Sequence, residues 1–410
     1  MVRRADLWYE RPLMRVLVVS NTPFAPANAG NRARIAEMLG YLAAAGVEVG
    51  VVLLPDWDTR RWDEEAMRAV ASFVEIAEAP PPSVVGRVQA MLRRLRSSPP
   101  GASVALDAWC PSWFVRHVAA VAARWRPDAV LVEYVFLSAC LPRLRDDVLR
   151  LIDTHDVMHH RAEVYRDAGL VPRWFHTSAT EESRGLARAD VLLAMHEDDA
   201  RALRSLVPDT TVLVVPHGRP PCPAPATRAV PGRVLYVGSY NDLNVAGLEW
   251  MLGRVWPRVL AAEPGAHLVV CGNVTEKLGR LPPGVRALGP VADLGSELAQ
   301  ARVVVDPLPA GTGLQIKMID ALAHARPVVA TPAAVAGMQV GEEHGVLVAA
   351  TPEAFGDAVV ALLVEQPRWT RCVAGAAAQA RAGFTPAAAF GPLLETLEDA
   401  THLASVRSRG

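Results

Sequence analysis

The stretch RVLVVSNTPFAPANAGNRARIAEMLGYLAAAGVEVGVVLL, residues 15–54, decides the fold. Its apolar run Arg15–Ser20 predicts a buried strand, and the loop after it is rich in Gly, Pro and Asn. Residues 32–45 carry apolar side chains at helical spacing, which predicts an amphipathic helix ending at Gly46. Residues 47–54 predict a second strand. Such a strand–helix–strand unit requires parallel strands in a sheet that helices cover on both faces.

The same alternation continues along the chain. Further strands are predicted at Ala129–Glu133, Leu149–Asp153, Val191–Ala194 and Val212–Val215. Residues 216–231 are rich in proline without periodicity and indicate a linker. Beyond the linker the pattern restarts, with strands at Arg233–Val237, His267–Cys271, Arg302–Asp306 and Val328–Ala330 and helices at 246–260 and 313–325.

This pattern predicts an α/β protein of two doubly wound, Rossmann-like domains that face each other across a cleft. The predicted domains are residues 14–218 and 232–386, with a final helix at 387–404 that packs back on the first domain. Ligands of open α/β sheets bind beyond the carboxyl ends of the strands, so we expect the site in the cleft.

Composition excludes several classes of protein. The chain has 410 residues and a net charge of −1, so it lacks the basic excess expected of a nucleic-acid partner. No apolar run approaches the roughly 20 residues of a membrane span. The first 11 residues do not resemble a secretory signal, and either Met1 or Met14 is the start. Five dispersed cysteines without a C-x-x-C pair predict reduced thiols and a cytoplasmic protein.

The sharpest candidate site is DPLPAGTGLQIKMIDALAH, residues 306–324, in the second domain. Thr312 and Gln315 have the spacing of a capping box, which predicts that the helix begins there. The N–H groups of Gly313 and Leu314 would then form an anion site that the helix dipole reinforces.

Lys317 and Asp320 follow on one stripe of this mostly apolar helix, at helical spacing from Gly313. Unpaired buried charge is costly, so both need a partner. One interpretation is a mutual Lys317–Asp320 ion pair. The favoured interpretation is a bound nucleotide diphosphate. Lys317 would neutralise the charge of its phosphates, and Asp320 would accept hydrogen bonds from its ribose hydroxyls.

The loop of Gly30, Asn31 and Arg32 is a second candidate for anion binding, between the first strand and the first helix. The glycine would allow close approach of backbone to a ligand. A plain strand–helix turn is the alternative. The dinucleotide fingerprint G-x-G-x-x-G is absent.

His155 is the candidate of the first domain for contact with a sugar hydroxyl or a reacting phosphate, since it follows a predicted strand. The alternative is a structural histidine that bonds Asp153 or Asp156. No cluster has metal-ligand spacing, so we expect neither a metal nor a cofactor.

Gly238 and Ser239 follow the first strand of the second domain, and Ser239 would donate to a phosphate. A turn with Asn241 and Asn244 as caps is the alternative. The basic segment 86–98 is interpreted either as a solvated cationic face or as a peripheral contact with an anionic inner membrane face or a lipid-linked acceptor.

These motifs resemble those of the GT-B glycosyltransferases, and most closely glycosyltransferase family 4. The resemblance runs from Met14 to about Phe390. It rests on NAGNR after the first strand, DTHD at 153–156, LARADVLLAM at 186–195 and, above all, PLPAGTGLQIKMIDALAHARPVVATP at 307–332. It implies transfer of a sugar from a nucleotide diphosphate donor to a hydroxyl of a glycan, lipid-linked, peptide or small-molecule acceptor. It also implies retention of anomeric configuration without an obligatory metal.

By the resemblance, His155 and Lys317 are the catalytic candidates, and the second domain holds the donor. The second of two family glutamates corresponds to Asp320 and the first to Thr312, so one carboxylate is missing. The family's Arg–Lys pair is absent from Gly238–Asn244, and Lys317 takes part of its charge role. Two alternatives remain: a sugar-nucleotide 2-epimerase, and a non-catalytic nucleotide-sugar-binding subunit that partners an active enzyme.

Overall fold

The computed structural model describes residues 14–55, 62–80, 105–171, 176–222, 228–311 and 313–407. The basic segment 86–98 and Thr312 therefore lie outside the described residues, as does the sequence before Met14.

The first domain is built on a seven-stranded parallel sheet with the order β3-β2-β1-β4-β5-β6-β7. Its strands are β1 (Arg15–Ser20), β2 (Glu48–Leu53), β3 (Phe73–Ile76), β4 (Ala129–Glu133), β5 (Leu149–Asp153), β6 (Val191–Ala194) and β7 (Thr211–Val214). Its helices are α1 (Gly30–Ala44), α2 (Glu64–Arg68), α3 (Ser112–Trp125), α4 (Met158–Asp167), α5 (Ala179–Leu186) and α6 (Glu197–Leu206), with 3₁₀ helices at Leu106–Trp109 and Val135–Arg143.

The second domain has a six-stranded parallel sheet with the order β10-β9-β8-β11-β12-β13. Its strands are β8 (Arg233–Val237), β9 (His267–Cys271), β10 (Val285–Gly289), β11 (Val303–Asp306), β12 (Val328–Ala330) and β13 (Val346–Val348). Its helices are α7 (Asp242–Trp250), α8 (Trp256–Ala262), α9 (Leu294–Gln300), α10 (Ile316–Ala323), α11 (Pro352–Val364) and α12 (Gln366–Gly383), with 3₁₀ helices at Asn273–Lys277, Pro332–Ala334 and Glu342–His344.

The helix predicted at 246–260 is wrong in detail. A π-helical segment, Met251–Val255, joins α7 to α8, and Pro257 lies in the first turn of α8. Proline has no N–H for the regular helical bond, so the helix cannot continue undisturbed through this position.

Alternate side chains of a strand pack into two different cores, one on each face of the sheet, as expected for a parallel sheet with both faces covered. In β1, Leu17 and Val19 pack into one buried cluster of the first domain, whereas Val16 and Val18 pack into the other. This confirms the two doubly wound domains that the sequence predicted. Because the strands of each sheet are parallel, their carboxyl ends lie at one edge, where ligands of such sheets bind.

The last helix, α13 (Pro386–Arg407), lies against the first domain. Phe390 and Leu393 are buried in the core that includes α1, and the Phe390 ring lies 5.9 Å from Tyr41. The segment between the two domains passes close to α13 at Gly218. A β-carbon there would lie 2.7 Å from the Phe390 ring and 2.9 Å from Cα of Pro386. Only glycine fits there without displacement of α13.

Candidate functional site

The two domains meet where helix α10 begins. A β-carbon on Gly30, the first residue of α1, would lie 3.4 Å from Cδ1 of Ile316, the first residue of α10. A β-carbon on Gly313 would lie 3.5 Å from the carbonyl oxygen of His155. The sequence-predicted residues Gly30, Gly313 and His155 are therefore neighbours across the cleft.

Helix α1 opens into this cleft without a side-chain cap. Ala29 at its N-cap is extended and accepts no N–H bond through its side chain. Asn31 instead donates from Nδ2 to the hydroxyl of Tyr134 at 3.1 Å, and its Oδ1 accepts the N–H of Arg32 at 3.0 Å. The first turn thus keeps backbone N–H groups and a positive dipole end beside the cleft.

Helix α10 begins later than the sequence predicts. It spans Ile316–Ala323 rather than 313–325, and Gln315 occupies the N-cap without a side-chain capping bond. The Gln315 amide donates from Nε2 to the carbonyl of Gly313 at 3.0 Å, so it is not available for the predicted capping box. The first N–H groups of the helix therefore belong to Ile316 and Lys317, whereas Gly313 and Leu314 lie in the loop before it.

Lys317 does not pair with Asp320, so that alternative is wrong. Its Nζ lies 2.8 Å from Oδ1 of Asp306 at the end of β11 and 3.2 Å from Oδ1 of Asn244. Asp306 is almost fully buried, and burial raises the pKa of its carboxyl while Lys317 opposes that shift. Lys317 pairs with Asp306 because a fully buried carboxylate without a partner would be costly in free energy.

Asp320 pairs with the segment that links the domains. Its Oδ1 lies 3.2 Å from Nε of Arg219, and Nη1 of the same arginine lies 2.5 Å from Oε1 of Glu37 in α1. Burial raises the pKa of the Asp320 carboxyl to about 6, against the lowering effect of Arg219. The arginine thereby ties α1 to α10 at the edge of the cleft.

The turn after β8 matches the alternative of Asn caps. Asn241 accepts the N–H of Asn244 as the N-cap of α7. Asn244 in turn donates from Nδ2 to the Ser239 carbonyl at 2.8 Å, with the Ser239 hydroxyl at 3.4 Å. Because Asn244 also accepts from Lys317, the structure brings Gly238 and Ser239 to the same end of the sheet as the lysine. Asn244 connects them, and its contact with Lys317 is what the sequence did not predict.

The first domain contributes a stacked pair of rings. Tyr134 follows β4 and His155 follows β5, and their rings stack at 4.0 Å with an interplanar angle of 16°. Both residues have a left-handed backbone, with φ of 65° and 57°. Non-glycine residues rarely adopt this region, and such residues concentrate at functional sites.

The carboxylate that bonds His155 is neither of those that the sequence offered. Nε2 of His155 lies 2.5 Å from Oε2 of Glu133, whereas Oδ2 of Asp153 is 3.5 Å away. Burial and the nearby Asp153 charge raise the pKa of Glu133, although His155 opposes this. Glu133 was missed because it precedes His155 by 22 positions and becomes its neighbour only through the pairing of β4 with β5.

Asp153 is occupied by a buried arginine. Its two carboxylate oxygens accept from Nε and Nη2 of Arg34 at 2.7 and 2.8 Å, and both side chains are fully buried. Burial alone would raise the pKa of Asp153, but Arg34 and His155 outweigh it and the pKa lies below its ordinary value.

Ligand atoms of Glu133, Asp153 and His155 lie within 4.8 Å of one another, close enough to surround an ion. Their bonding argues against this use, because Arg34 takes both oxygens of Asp153 and His155 points its nitrogen at Glu133. A divalent cation would also lie beside the buried guanidinium, where like charges repel strongly. The cluster fits a hydrogen-bond network better than a metal centre.

Two parallel-sheet α/β domains that meet at their ligand-binding edges define the GT-B class of folds. Residues 231–365 match the family model described as Glycosyl transferases group 1. The chain therefore has the GT-B fold, as predicted, and its second domain contains a region that matches this family model. Membership of family 4 stays a prediction.

Solved structures of the same fold span the whole molecule. HepE from Anabaena in complex with UDP is 14% identical with a TM-score of 0.67, over 94% of this chain and 100% of that chain. Sucrose-phosphate synthase from Thermosynechococcus elongatus is 17% identical with a TM-score of 0.67 and the same coverage. A TarM variant from S. aureus, in complex with fondaparinux, alpha-GlcNAc-glycerol and UDP, is 9% identical with a TM-score of 0.64, over 96% and 99%.

No curated protein matches the chain significantly by sequence. Within the described ranges, no helix combines the length and apolarity needed to cross a bilayer.

Proposed function

We propose that this protein transfers a sugar from a nucleoside diphosphate donor to an acceptor hydroxyl, with retention of anomeric configuration and without a metal. The observation that carries the proposal is the meeting of the uncapped starts of α1 and α10 across the cleft, beside His155 and Lys317. Opposed helix starts offer N–H groups and positive dipole ends to a diphosphate. The group 1 match in the second domain supports a donor of this kind.

In this proposal the donor diphosphate lies at the start of α10. The N–H groups of Ile316 and Lys317 bind its oxygens, and the Lys317 ammonium adds charge from the adjacent strand end. Asp306 and Asn244 hold that ammonium, because Asp306 forms an ion pair with Nζ and Asn244 accepts a hydrogen bond from it. When the bond between the anomeric carbon and the diphosphate breaks, the negative charge that develops is stabilised where these groups already lie.

The carboxylate of Asp320 accepts hydrogen bonds from the ribose hydroxyls of the donor. In the structure its carboxylate is paired with Arg219, so the nucleotide has either to share the carboxylate with this arginine or to displace it. Either outcome links donor binding to the Glu37–Arg219–Asp320 tie between the domains.

Catalysis takes place between His155 and the start of α10. The acceptor oxygen forms the new bond to the anomeric carbon on the face that the diphosphate leaves, and the acceptor proton passes to the departing diphosphate oxygen. His155 accepts a hydrogen bond from a sugar hydroxyl through the ring nitrogen that Glu133 does not occupy. The close domains exclude water, which would otherwise hydrolyse the donor.

A two-stage experiment tests the proposal. Thermal unfolding is measured with UDP-, GDP-, ADP- and dTDP-sugars, of which the true donor should stabilise by about 2.7 kcal/mol at 100 times its Kd. The stabilising donor is then incubated with and without acceptor hydroxyl compounds, and the product anomer is read by proton NMR.

Transfer with the donor's anomeric configuration and insensitivity to EDTA is the expected result. Stabilisation without any turnover would favour the non-catalytic subunit, whereas a new sugar nucleotide formed without acceptor would favour the epimerase. No stabilisation by any nucleotide sugar would contradict the proposal.

A further inference from the structure

Glu133 stands at the end of β4 with no contact to the cleft of its own, yet it holds the ring of His155. The Glu133 side chain is fully buried, and the His155 side chain is 7% exposed. Nε2 of His155 lies 2.5 Å from Oε2 of Glu133, so the two side chains are hydrogen-bonded. When Glu133 is ionised its carboxylate only accepts hydrogen bonds, and Nε2 then carries the proton.

Among the described residues, no other carboxylate lies within 3 Å of Nε2. Asp153 lies farther from Nε2, at 3.5 Å, and Arg34 takes both of its oxygens. No described residue hydrogen-bonds Nδ1 of His155, so Nδ1 is the nitrogen left for a reactant.

The plane of the ring is fixed as well. Tyr134 stacks on it at 4.0 Å, and Asn31 at the start of α1 holds the Tyr134 hydroxyl. Tyr134 and His155 both have a positive φ and lie just beyond the ends of β4 and β5. The Glu133 carboxylate, the Tyr134 ring and the local backbone therefore all restrict the His155 imidazole to one orientation, as expected for a preorganised site.

We infer that Glu133 is a positioning residue: through the Glu133–His155 bond it fixes His155 as the Nε2–H tautomer and so presents Nδ1 to the reacting groups. The inference rests on the proposed function for its effect on turnover, but the tautomer itself can be measured without any substrate. Glu133 does not touch donor or acceptor. It should therefore affect kcat more than KM.

The test variant is Glu133→Gln, which keeps the shape but replaces the charged acceptor by a neutral amide, and this amide can accept weakly from Nε2–H or donate to Nε2 and so favour the Nδ1–H tautomer. Nitrogen-15 NMR of protein with labelled histidine reads the tautomer, and His155→Ala identifies the resonance. We expect Nε2–H in the native protein, a gain of the Nδ1–H form in the variant and a fall in kcat of roughly 10- to 150-fold, as for loss of a hydrogen bond to a charged group. KM for the donor should stay within about twofold.

The chain offers a matched control in Glu182, another buried glutamate bonded to a histidine. It accepts from Nδ1 of His159 at 2.7 Å and from the N–H groups of Met158 and His159. Glu182→Gln should lower stability without change in the His155 tautomer or in kcat. If Glu133→Gln does not fold, Glu133→Asp replaces it. Asp retains the carboxylate at a greater distance, so the His155 signal should show the Nε2–H form with a weakened bond and a smaller fall in kcat.

A tautomer and a kcat that both stay native in Glu133→Gln, or an equal loss of kcat in Glu182→Gln, would overturn the inference. So would a shift of the His155 resonances on addition of Zn²⁺ that EDTA reverses, because the trio would then hold a metal. If the native protein shows the Nε2–H form but no turnover with any donor, the proposed function fails while the positioning of the ring stands.

Discussion

Replacement of Lys317 by methionine separates the stability of the second domain from its binding of nucleotide. The ammonium lies 2.8 Å from Asp306, and the two side chains are 13% and 1% exposed. Removal of one partner from a buried ion pair costs about 3–5 kcal/mol, because the remaining charge stays buried without compensation. We expect Lys317→Met to lower the free energy of unfolding at pH 7 by about 3 kcal/mol in urea denaturation.

The pH dependence of this loss has a definite sign. The pKa of Asp306 is raised by burial even with the lysine present, and loss of Lys317 would raise it further. A raised carboxyl pKa favours the folded state at low pH, and that contribution disappears as the pH rises through the folded-state pKa. The deficit of Lys317→Met should therefore shrink as the pH is lowered toward about 4, near the pKa of an unfolded aspartate.

The double variant Lys317→Met/Asp306→Asn removes both charges. Its stability should return to within about 1 kcal/mol of the native protein, since a neutral replacement of a buried pair is often tolerated. Nucleotide binding should not return, because the contact between lysine and diphosphate is still absent. A charge-assisted hydrogen bond contributes about 1.5–3 kcal/mol, so calorimetry should show a Kd for the nucleoside diphosphate about 10- to 150-fold weaker in both variants.

Native affinity in the double variant would refute the assignment of Lys317 to the donor site. A single variant as stable as the native protein would instead refute the account of the Lys317–Asp306 pair.

Two further predictions concern Asp320 and Gly218. Because burial raises the pKa of Asp320 to about 6, Asp320→Asn should gain roughly 3 kcal/mol of stability at most at pH 7, and this gain should vanish near pH 4. Calorimetry should show weaker nucleotide binding by the same variant. A difference in stability between Asp320→Asn and the native protein that is the same at pH 7 and pH 4 would contradict the raised pKa of Asp320. Gly218→Ala should cost about 1–3 kcal/mol in urea denaturation, because its β-carbon would lie 2.7 Å from the Phe390 ring. A neutral effect would show that α13 is not tightly packed there.

Much of the fold follows from the sequence because central parallel strands are continuous apolar runs. β1, β4 and β6 end at a loop and are buried on both faces, so the pattern alone locates them. The missed strands lie toward the edges of the sheets. Phe73–Ile76 is mostly half-buried and Val285–Gly289 contains an exposed arginine, so neither gives an apolar run.

The site was less predictable because its partners meet through tertiary structure. Helical spacing related Lys317 to Asp320, yet the cation is held by Asp306 at the end of a neighbouring strand. His155 was correctly noted beyond β5, but its bond to Glu133 depends on the order of β4 and β5 in the sheet. Short-range periodicity indicates which residues are polar on an apolar element. It does not indicate which polar groups meet.

The most direct test of the account is a crystal structure of the protein with the nucleoside diphosphate that stabilises it most. We expect the diphosphate within hydrogen-bond distance of the N–H groups of Ile316 and Lys317, with Nζ of Lys317 turned to a phosphate oxygen. A diphosphate bound away from the start of α10, with Lys317 enclosed by Asp306 and Asn244, would contradict the central claim.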